Sequence, residues 1–326
     1  MTVLRTSRAD HGIASRTLQR EAAQQRLIRI SRGIYVRHES DDPEQQWLDR
    51  LDAHMQRGGP DAAISHRAAA RLNGLEGFAE GPRIEDVTVP IDSAWRSSPA
   101  IRSRTLTTAD VSPLNTLRVT TVARTLADLG RFVTADELEF AVEHALRGTD
   151  RRRPDVWHGE LLADLNERAE HRNARGTTVL RAVLFRRGQS RPTGSWAETL
   201  LVQQLRRHGV DLTRQPTIVV QTRRGRRIAI YFPDLGDLLR GFLVEVDGGI
   251  AHGSDRQIDR DDRRQNELLR SFLVYRVHVR RLLSEPARVA AEIAELHRQL
   301  PVRPSPFFGD GDVLVERTPE GAVLSR

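Results

Sequence analysis

The order of apolar and polar runs after residue 190 limits the fold of this chain more than any other feature. Apolar residues that recur every three or four positions predict helices, whereas short alternating or continuous apolar runs predict strands. The predicted elements are a helix at 195–208, strands at 217–222, 227–232 and 241–246, a helix at 259–271, a strand at 273–279 and a helix at 286–300. This order predicts a mixed sheet flanked by helices.

Three acidic residues lie near the centre of this predicted sheet. Glu245 and Asp247 are two positions apart on one strand, so their side chains should point to the same face. Asp234 follows Pro233 eleven residues before Glu245, where it should end the neighbouring strand and approach both acids. Carboxylates so close together repel one another unless a cation neutralises them, and oxygen ligands suit Mg²⁺ or Mn²⁺. The pattern predicts a divalent-metal site able to hydrolyse phosphodiesters. The alternative is an acidic strand end that faces solvent.

The composition excludes several kinds of chemistry. The chain contains no cysteine, which excludes disulfides, thiolate zinc sites and cysteine nucleophiles. It contains no lysine either, so arginine accounts for all 51 Lys and Arg residues and carries the net charge of +7. This charge fits a phosphate-rich partner such as DNA, although an arginine-biased genome explains the missing lysine equally well. No stretch approaches the roughly 20 apolar residues of a membrane helix, and no signal peptide is evident. We therefore expect a cytoplasmic protein with no membrane partner.

Changes in composition divide the chain into five regions. Residues 1–55 predict a winged-helix-like DNA-binding domain. Residues 56–150 predict a mixed α+β domain with a helix at 60–75, strands at 84–90, 100–106 and 117–120, and helices at 121–129 and 135–147. Residues 151–190 predict a helical linker, residues 191–302 the sheet domain with the acidic residues, and residues 303–326 a tail. The expected fold class is α/β, in several domains.

The N-terminal region has the pattern of a small winged helix. A helix at 16–25 begins at a cap, Ser15 or Thr17, and a hairpin at 27–36 follows it. The alternating apolar residues of the hairpin are Ile28, Ile30, Ile34 and Val36. In such a domain the helix enters a DNA groove while nearby arginines contact phosphates. These arginines are Arg26, Arg29, Arg32 and Arg37. The alternative is a helix and hairpin that only pack on the next domain.

Other polar residues have two interpretations each. Arg224 and Arg226 lie on a predicted hairpin beside the acidic residues, where they either contact phosphates or are solvated. Glu198 is in the first turn of the helix at 195–208, where it either belongs to the site or is favoured by the helix dipole. We interpret His66, on a small and apolar helix, as a capping or hydrogen-bonded core residue rather than a ligand.

The acidic residues resemble a known nuclease signature. Pro233-Asp234 with Glu245-Val246-Asp247 resembles the PD-(D/E)XK signature, with aspartate where most members carry lysine. Wider features are similar to the very short patch repair endonuclease-like branch. They are Glu198, the segment 244–248 (VEVDG), His252, Asp262, Arg263, Arg264 and Asn266. The resemblance covers residues 195–283 and implies a restriction-endonuclease-like domain.

The resemblance implies a role for each matching residue. Asp234 and Glu245 would bind the metal, and Asp247 would complete the acidic site. Glu198 would orient a ligand or a second metal. His252 would transfer a proton or contact the phosphate, unless it is an ordinary loop histidine.

One departure from the signature affects activity. Because the chain has no lysine, Arg264 or His252 would have to supply the missing positive charge, or else the site is weak or inactive. A different alignment puts Ala229 at the position of the metal-binding aspartate. We prefer Asp234 because of its spacing from Glu245 and the adjoining proline.

The N-terminal half resembles the abortive-infection AbiEi antitoxin-like proteins. The resembling segments are 12–36, which ends in RGIYV, 64–74 (ISHRAAARLNG) and 119–128 (VTTVARTLAD). That group pairs a winged helix with a mixed domain and is similar to transcriptional autoregulators of type IV toxin-antitoxin loci.

Three hypotheses follow. The leading one is a DNA-directed, divalent-metal-dependent endonuclease that hydrolyses phosphodiester bonds, or a weakened or inactive descendant of one. The second is a non-catalytic, DNA-binding transcriptional regulator of the antitoxin type, in which the nuclease-like domain binds DNA or forms a homodimer. The third is a protein that interacts with a toxin or another defence-system partner.

Overall fold

The chain forms two compact units of mixed α/β structure. The computed structural model describes residues 2–5, 15–24, 27–31, 34–37, 41–96, 99–103, 106–147, 154–170, 177–188, 190–222, 227–248, 272–302, 307–308 and 313–317. One unit comprises Met1–Ala145 with Asp155–Leu184, and the other comprises Leu146–Pro154 with Phe185–Arg326. The predicted α/β class is confirmed. Among the described residues, every helix is too short or too polar to cross a membrane.

The first unit begins with a three-stranded antiparallel sheet between two helices. Its elements are β1 (Thr2–Arg5), α1 (Ser15–Ala23), β2 (Ile28–Ser31), β3 (Ile34–Arg37) and α2 (Pro43–Gly58). The strand order is β1-β3-β2. Central strand β3 is buried on both faces, because Tyr35 packs on Leu18 of α1 and Val36 packs on Ala53 of α2. The predicted alternation is wrong at Ile28, which lies on edge strand β2 and is 41% exposed.

A five-stranded sheet forms the centre of the first unit. The remaining elements are β4 (Ala63–Ile64), α3 (His66–Leu72), β5 (Val87–Pro90), β6 (Ala100–Ser103), β7 (Val111–Leu114), β8 (Leu117–Thr120), α4 (Val122–Leu129), α5 (Ala135–Arg147), α6 (Pro154–Glu170) and α7 (Thr177–Arg187). The order of the strands in the sheet is β6-β5-β4-β8-β7. The single helix predicted at 60–75 is wrong in its first half. Ile64 instead pairs with Val87 on one side and Val119 on the other, and these distant partners outweigh the local helical pattern.

Ion pairs attach α6 to the rest of the first unit. Asp110 accepts hydrogen bonds from Arg168 of α6 at 2.7 Å and from Arg124 of α4 at 3.1 Å. Burial pushes the pKa of Asp110 upward, but hydrogen bonds from Thr107 and Arg168 outweigh burial and hold the pKa below its usual value. Much of the segment predicted as a helical linker is therefore grouped with the first unit.

The second unit is built on a mixed four-stranded sheet. Its elements are α8 (Trp196–Arg207), β9 (Thr213–Arg214), β10 (Ile218–Thr222), β11 (Arg227–Tyr231), β12 (Leu235–Asp237), β13 (Phe242–Asp247), β14 (Leu273–His278), α9 (Val279–Ser284), α10 (Pro286–Gln299), β15 (Phe307–Phe308) and β16 (Val313–Arg317). The central strand order is β14-β13-β12-β9, with β13 and β14 parallel and the other pairs antiparallel. Phe242 and Val244 pack against Leu201 of α8 and Ile293 of α10.

A second sheet lies in the same unit and corrects the predicted strand arrangement. β10 and β11 were expected beside β13, but they form a separate sheet of order β11-β10-β16-β15. The two sheets are in contact through side chains, because Ile218 of β10 packs with Leu243 of β13 and with Phe272. The place beside β13 is taken by β12, whose three residues include Gly236. A Cβ at Gly236 would lie 2.8 Å from a methyl group of Leu243. Such a short strand is hard to predict from sequence.

Candidate functional site

A row of charged residues crosses the central sheet of the second unit. β12 and β13 pair antiparallel with Leu235 opposite Val244, so the next step of this register puts Asp234 opposite Glu245. β13 and β14 pair in parallel with Glu245 beside Arg276. Side chains of directly opposite residues share a face, so the row brings two carboxylates and a guanidinium together.

The row lies on the sheet face that carries Leu243. Phe242 and Val244 pack with the helices, whereas Leu243 packs with the second sheet. Because side chains alternate along a strand, Glu245 and Asp247 lie on the Leu243 face. Asp247 is exposed at the end of β13, and the Glu245 side chain is only 12% exposed.

A hydrogen bond holds Asp234 across the strands. The backbone N–H of Val246 donates to Asp234 Oδ2 at 2.7 Å. On the other side, the backbone N–H of Gln215 donates to the backbone oxygen of Asp234 at 2.8 Å. Asp234 was expected to end the strand at 227–232, but it precedes β12 instead. Its carboxylate nevertheless reaches β13 at Val246, the residue after Glu245.

Glu198 is buried at the start of α8. Its Oε2 accepts from the Gly194 N–H at 2.6 Å and its Oε1 accepts from Ser195 Oγ at 2.9 Å, while its own N–H donates to Ser195 Oγ at 3.2 Å. The Ser195 side chain caps the helix, and the hydrogen bonds that Glu198 accepts in return give an acid at this position a structural role without any ligand. A Cβ on Gly194 would lie 2.9 Å from Glu198 Oε1 and 3.2 Å from Gln215 Nε2, so these two side chains meet beside the glycine.

The charge of Asp234 also acts on Glu198. Burial, and after it the negative charge of Asp234, raises the pKa of Glu198 from 4.5 to about 7. Two neighbouring carboxylates repel each other when both are ionised, so a cation is favoured beside them. Glu198 therefore interacts electrostatically with Asp234, and its role in a metal site stays a prediction.

Arg276 is a member of the row that the sequence did not predict. Its Nη2 donates to Glu245 Oε2 at 2.8 Å, and its side chain is 41% exposed. Gln215 was missed as well, and its φ of +44° is rare outside glycine. Neither residue carries a local signal, because the register of β13 with β14 and the turn after β9 depend on distant parts of the chain.

Several predicted residues cannot be placed in this row. His252, Arg26, Arg32, Arg224, Arg226 and Arg264 lie outside the described residues. In the first unit Arg29 is exposed on β2, and Arg37 forms an ion pair of 3.2 Å with Glu21. Phosphate contact by these arginines stays a prediction.

The carboxylate oxygens of these residues are suitable ligands for a hard cation, but the carboxylates are not grouped around one position. Within the described ranges, no three acidic or histidine side chains are grouped so as to hold an ion. Each carboxylate has its own donor instead. Asp234 accepts from Val246, Glu245 from Arg276, and Glu198 from Gly194 and Ser195. Carboxylate oxygens on neighbouring elements are the ligands that Mg²⁺ and Mn²⁺ prefer. Joint binding would need Glu245 to leave Arg276.

His66 in the first unit is buried and hydrogen-bonded, as we interpreted it. Its Nδ1 lies 2.8 Å from Ser65 Oγ, its Nε2 has no partner, and its φ is +49°. Burial is the main cause that lowers the pKa of His66 from 6.5 to about 4, with Arg131, Arg124 and Arg67 adding to it and Asp86 opposing it. A neutral histidine without a surrounding group of acids is a structural residue.

The fold and the acidic row define the second unit as an α/β domain with carboxylates on adjacent elements of a mixed sheet. No protein-family model matches the chain, and no curated protein matches it. The resemblances stated from the sequence therefore remain expectations.

Proposed function

We propose that the second unit is a divalent-metal-dependent nuclease domain that hydrolyses phosphodiester bonds in DNA. The observation that carries this proposal is the position of Asp234, whose carboxylate accepts from the Val246 N–H next to Glu245 and whose charge adds to burial in raising the pKa of Glu198 to about 7. Asp234 accepts a hydrogen bond from Val246, next to Glu245, and its charge acts on Glu198, so a cation bound here would offset the repulsion between these carboxylates.

Each acidic residue has a separate role in this proposal. Asp234 and Glu245 hold the ion, and Glu198, fixed by hydrogen bonds from Gly194 and Ser195, orients it. A bound Mg²⁺ or Mn²⁺ lowers the pKa of an attacking water and stabilises negative charge on the phosphate. Asp247, exposed at the strand end, completes the acidic group on the substrate side.

Two further features support nucleic acid as the substrate. The net charge of +7 favours a polyanion. Two residues before Asp234, Phe232 is 45% exposed, and the guanidinium carbon of Arg191 lies 5.1 Å from its ring centre. Arginine and exposed aromatic rings are the groups that contact phosphates and bases.

Plasmid nicking with Mg²⁺ or Mn²⁺ tests the proposal. Asp234→Asn and Glu245→Gln should each lower the rate by on the order of 100-fold, because each removes a charge that holds the ion. Asp211→Asn is the matched control, since Asp211 is an exposed acid of the same unit outside the row. Rates equal to the control in both variants would remove the proposal.

A second function is favoured by one specific observation. Arg276 already neutralises Glu245, and Asp247 stands where the resembling signature has lysine, as expected for a domain that has lost catalysis. In that case the protein is a non-catalytic DNA-binding regulator of the antitoxin type. It would bind DNA in a salt-dependent manner without cleavage, Arg29→Ala would weaken binding, and Asp234→Asn would not.

A further inference from the structure

We propose that Arg276 is an exchangeable cation of the acidic row: it neutralises Glu245 in the metal-free protein and is released to bind the scissile phosphate when a divalent ion takes Glu245. The inference rests on the proposed nuclease function, and it gives Arg276 the role of the lysine that the resembling signature carries and this chain does not.

The register makes Arg276 the direct neighbour of Glu245. The two residues are partners in the parallel pairing of β13 and β14, and their side chains meet at 2.8 Å. The carboxylate is 12% exposed and the guanidinium 41% exposed. Arg276 therefore covers Glu245 from the solvent side, so its guanidinium can turn toward solvent without disturbing the core.

The ion pair is of a kind that exchanges readily. Pairs with a partly exposed partner contribute little stability, because water screens them and each side chain loses conformational freedom. A divalent ion shared by Glu245 and the neighbouring Asp234 would neutralise two carboxylates at once, whereas Arg276 neutralises one. Metal binding should therefore displace the guanidinium from Glu245.

The released side chain suits a phosphodiester. A guanidinium donates two parallel N–H groups to phosphate oxygens and keeps its charge at every physiological pH. Two other described arginines of this unit, Arg281 and Arg240, pair with acids outside the row, Glu292 and Asp237. Arg276 is already on the acidic row, beside Glu245.

Calorimetric titration of Mn²⁺ into the full chain tests the exchange without any substrate. Arg276→Gln should bind Mn²⁺ roughly three- to tenfold more tightly than the wild type, because the ion no longer competes with a guanidinium. Arg276→Lys should stay near the wild type. Arg288→Gln is the control, since Arg288 is an exposed arginine paired with Glu292 in the same unit. An Arg276→Gln affinity equal to or weaker than wild type would overturn the proposal.

Cleavage kinetics test the second half of the proposal. Arg276→Gln should lower kcat by about 100-fold with KM nearly unchanged, and Arg276→Lys should recover much of the loss, because the charge acts on the transition state. Full kcat in Arg276→Gln, with Asp234→Asn inactive, would overturn this inference alone. Wild-type protein that neither binds Mn²⁺ nor cleaves would overturn the nuclease proposal and this inference together.

Discussion

At the scale of single residues, Gly194 sets how closely the acidic side chains of the second unit approach. Its N–H donates to Glu198, and the space where a Cβ would stand is filled by the ends of Glu198 and Gln215. A side chain at this position would displace the carboxylate of Glu198. Gly194 is therefore needed because the Glu198 carboxylate packs where a Cβ would stand, and not because the backbone needs the conformational freedom of glycine.

His66 makes the stability of the first unit depend on pH. Its pKa is about 4 in the folded chain and close to 6.5 when unfolded, so between these values the unfolded state binds more protons. The free energy of unfolding should therefore fall as pH falls, by roughly 2 kcal/mol between pH 7 and pH 5, and should be level above pH 7. His66→Asn tolerates the positive φ and cannot take up a proton in this range.

Urea titrations at several pH values, followed by the fluorescence of buried Trp47 and Trp95, measure this effect. The difference between wild type and His66→Asn should change with pH below about 6.5. Two parallel curves between pH 7 and pH 5 would show that His66 is not responsible.

At the scale of elements, local signals predicted several of the long helices, but the 16-residue α2 was not predicted and the short strands were missed. The predicted range 135–147 matches α5, and α8 was predicted to within one residue at each end, since Ser195 is a visible cap. β4 and β12 have two and three residues, and they exist only because distant strands pair with them. The acids of the candidate site could be predicted from their local spacing in the sequence. Arg276 and Gln215 could not, because their positions depend on how distant strands pair.

The attachment of α6 depends on one buried carboxylate. Asp110 is 5% exposed and Arg124 is 7% exposed, and Asp110→Asn removes one of the two carboxylates that neutralise this buried guanidinium, leaving it only Asp128. We expect this change to lower the stability of the first unit by about 2 kcal/mol. Asp164→Asn is the matched control, because Asp164 pairs with the same Arg168 but its side chain is 42% exposed, and it should cost less than about 1 kcal/mol. Equal midpoints for the two variants in urea would contradict this account.

At the scale of the whole molecule, the two units have separate cores. Leu201, Val244 and Ile293 belong to a core in the second unit, whereas Trp47, Ile64 and Val119 belong to one in the first. Binding energy stabilises the part that holds the ligand. A metal held by the acidic row should therefore stabilise only the second unit.

Hydrogen exchange of the full chain with and without Mn²⁺ resolves this difference. Peptides from α8 and β13 should gain protection by RT ln(1 + [Mn²⁺]/Kd), about 2.7 kcal/mol at 100 times Kd, while peptides from α2 and α4 in the first unit should not change. Asp234→Asn should abolish the gain, and Asp211→Asn should retain it. Protection that rises equally in both units, or that survives Asp234→Asn, would mean that the ion binds elsewhere. The reason is that α8 and β13 carry the proposed ligands Glu198 and Glu245, whereas the peptides from the first unit carry none of them.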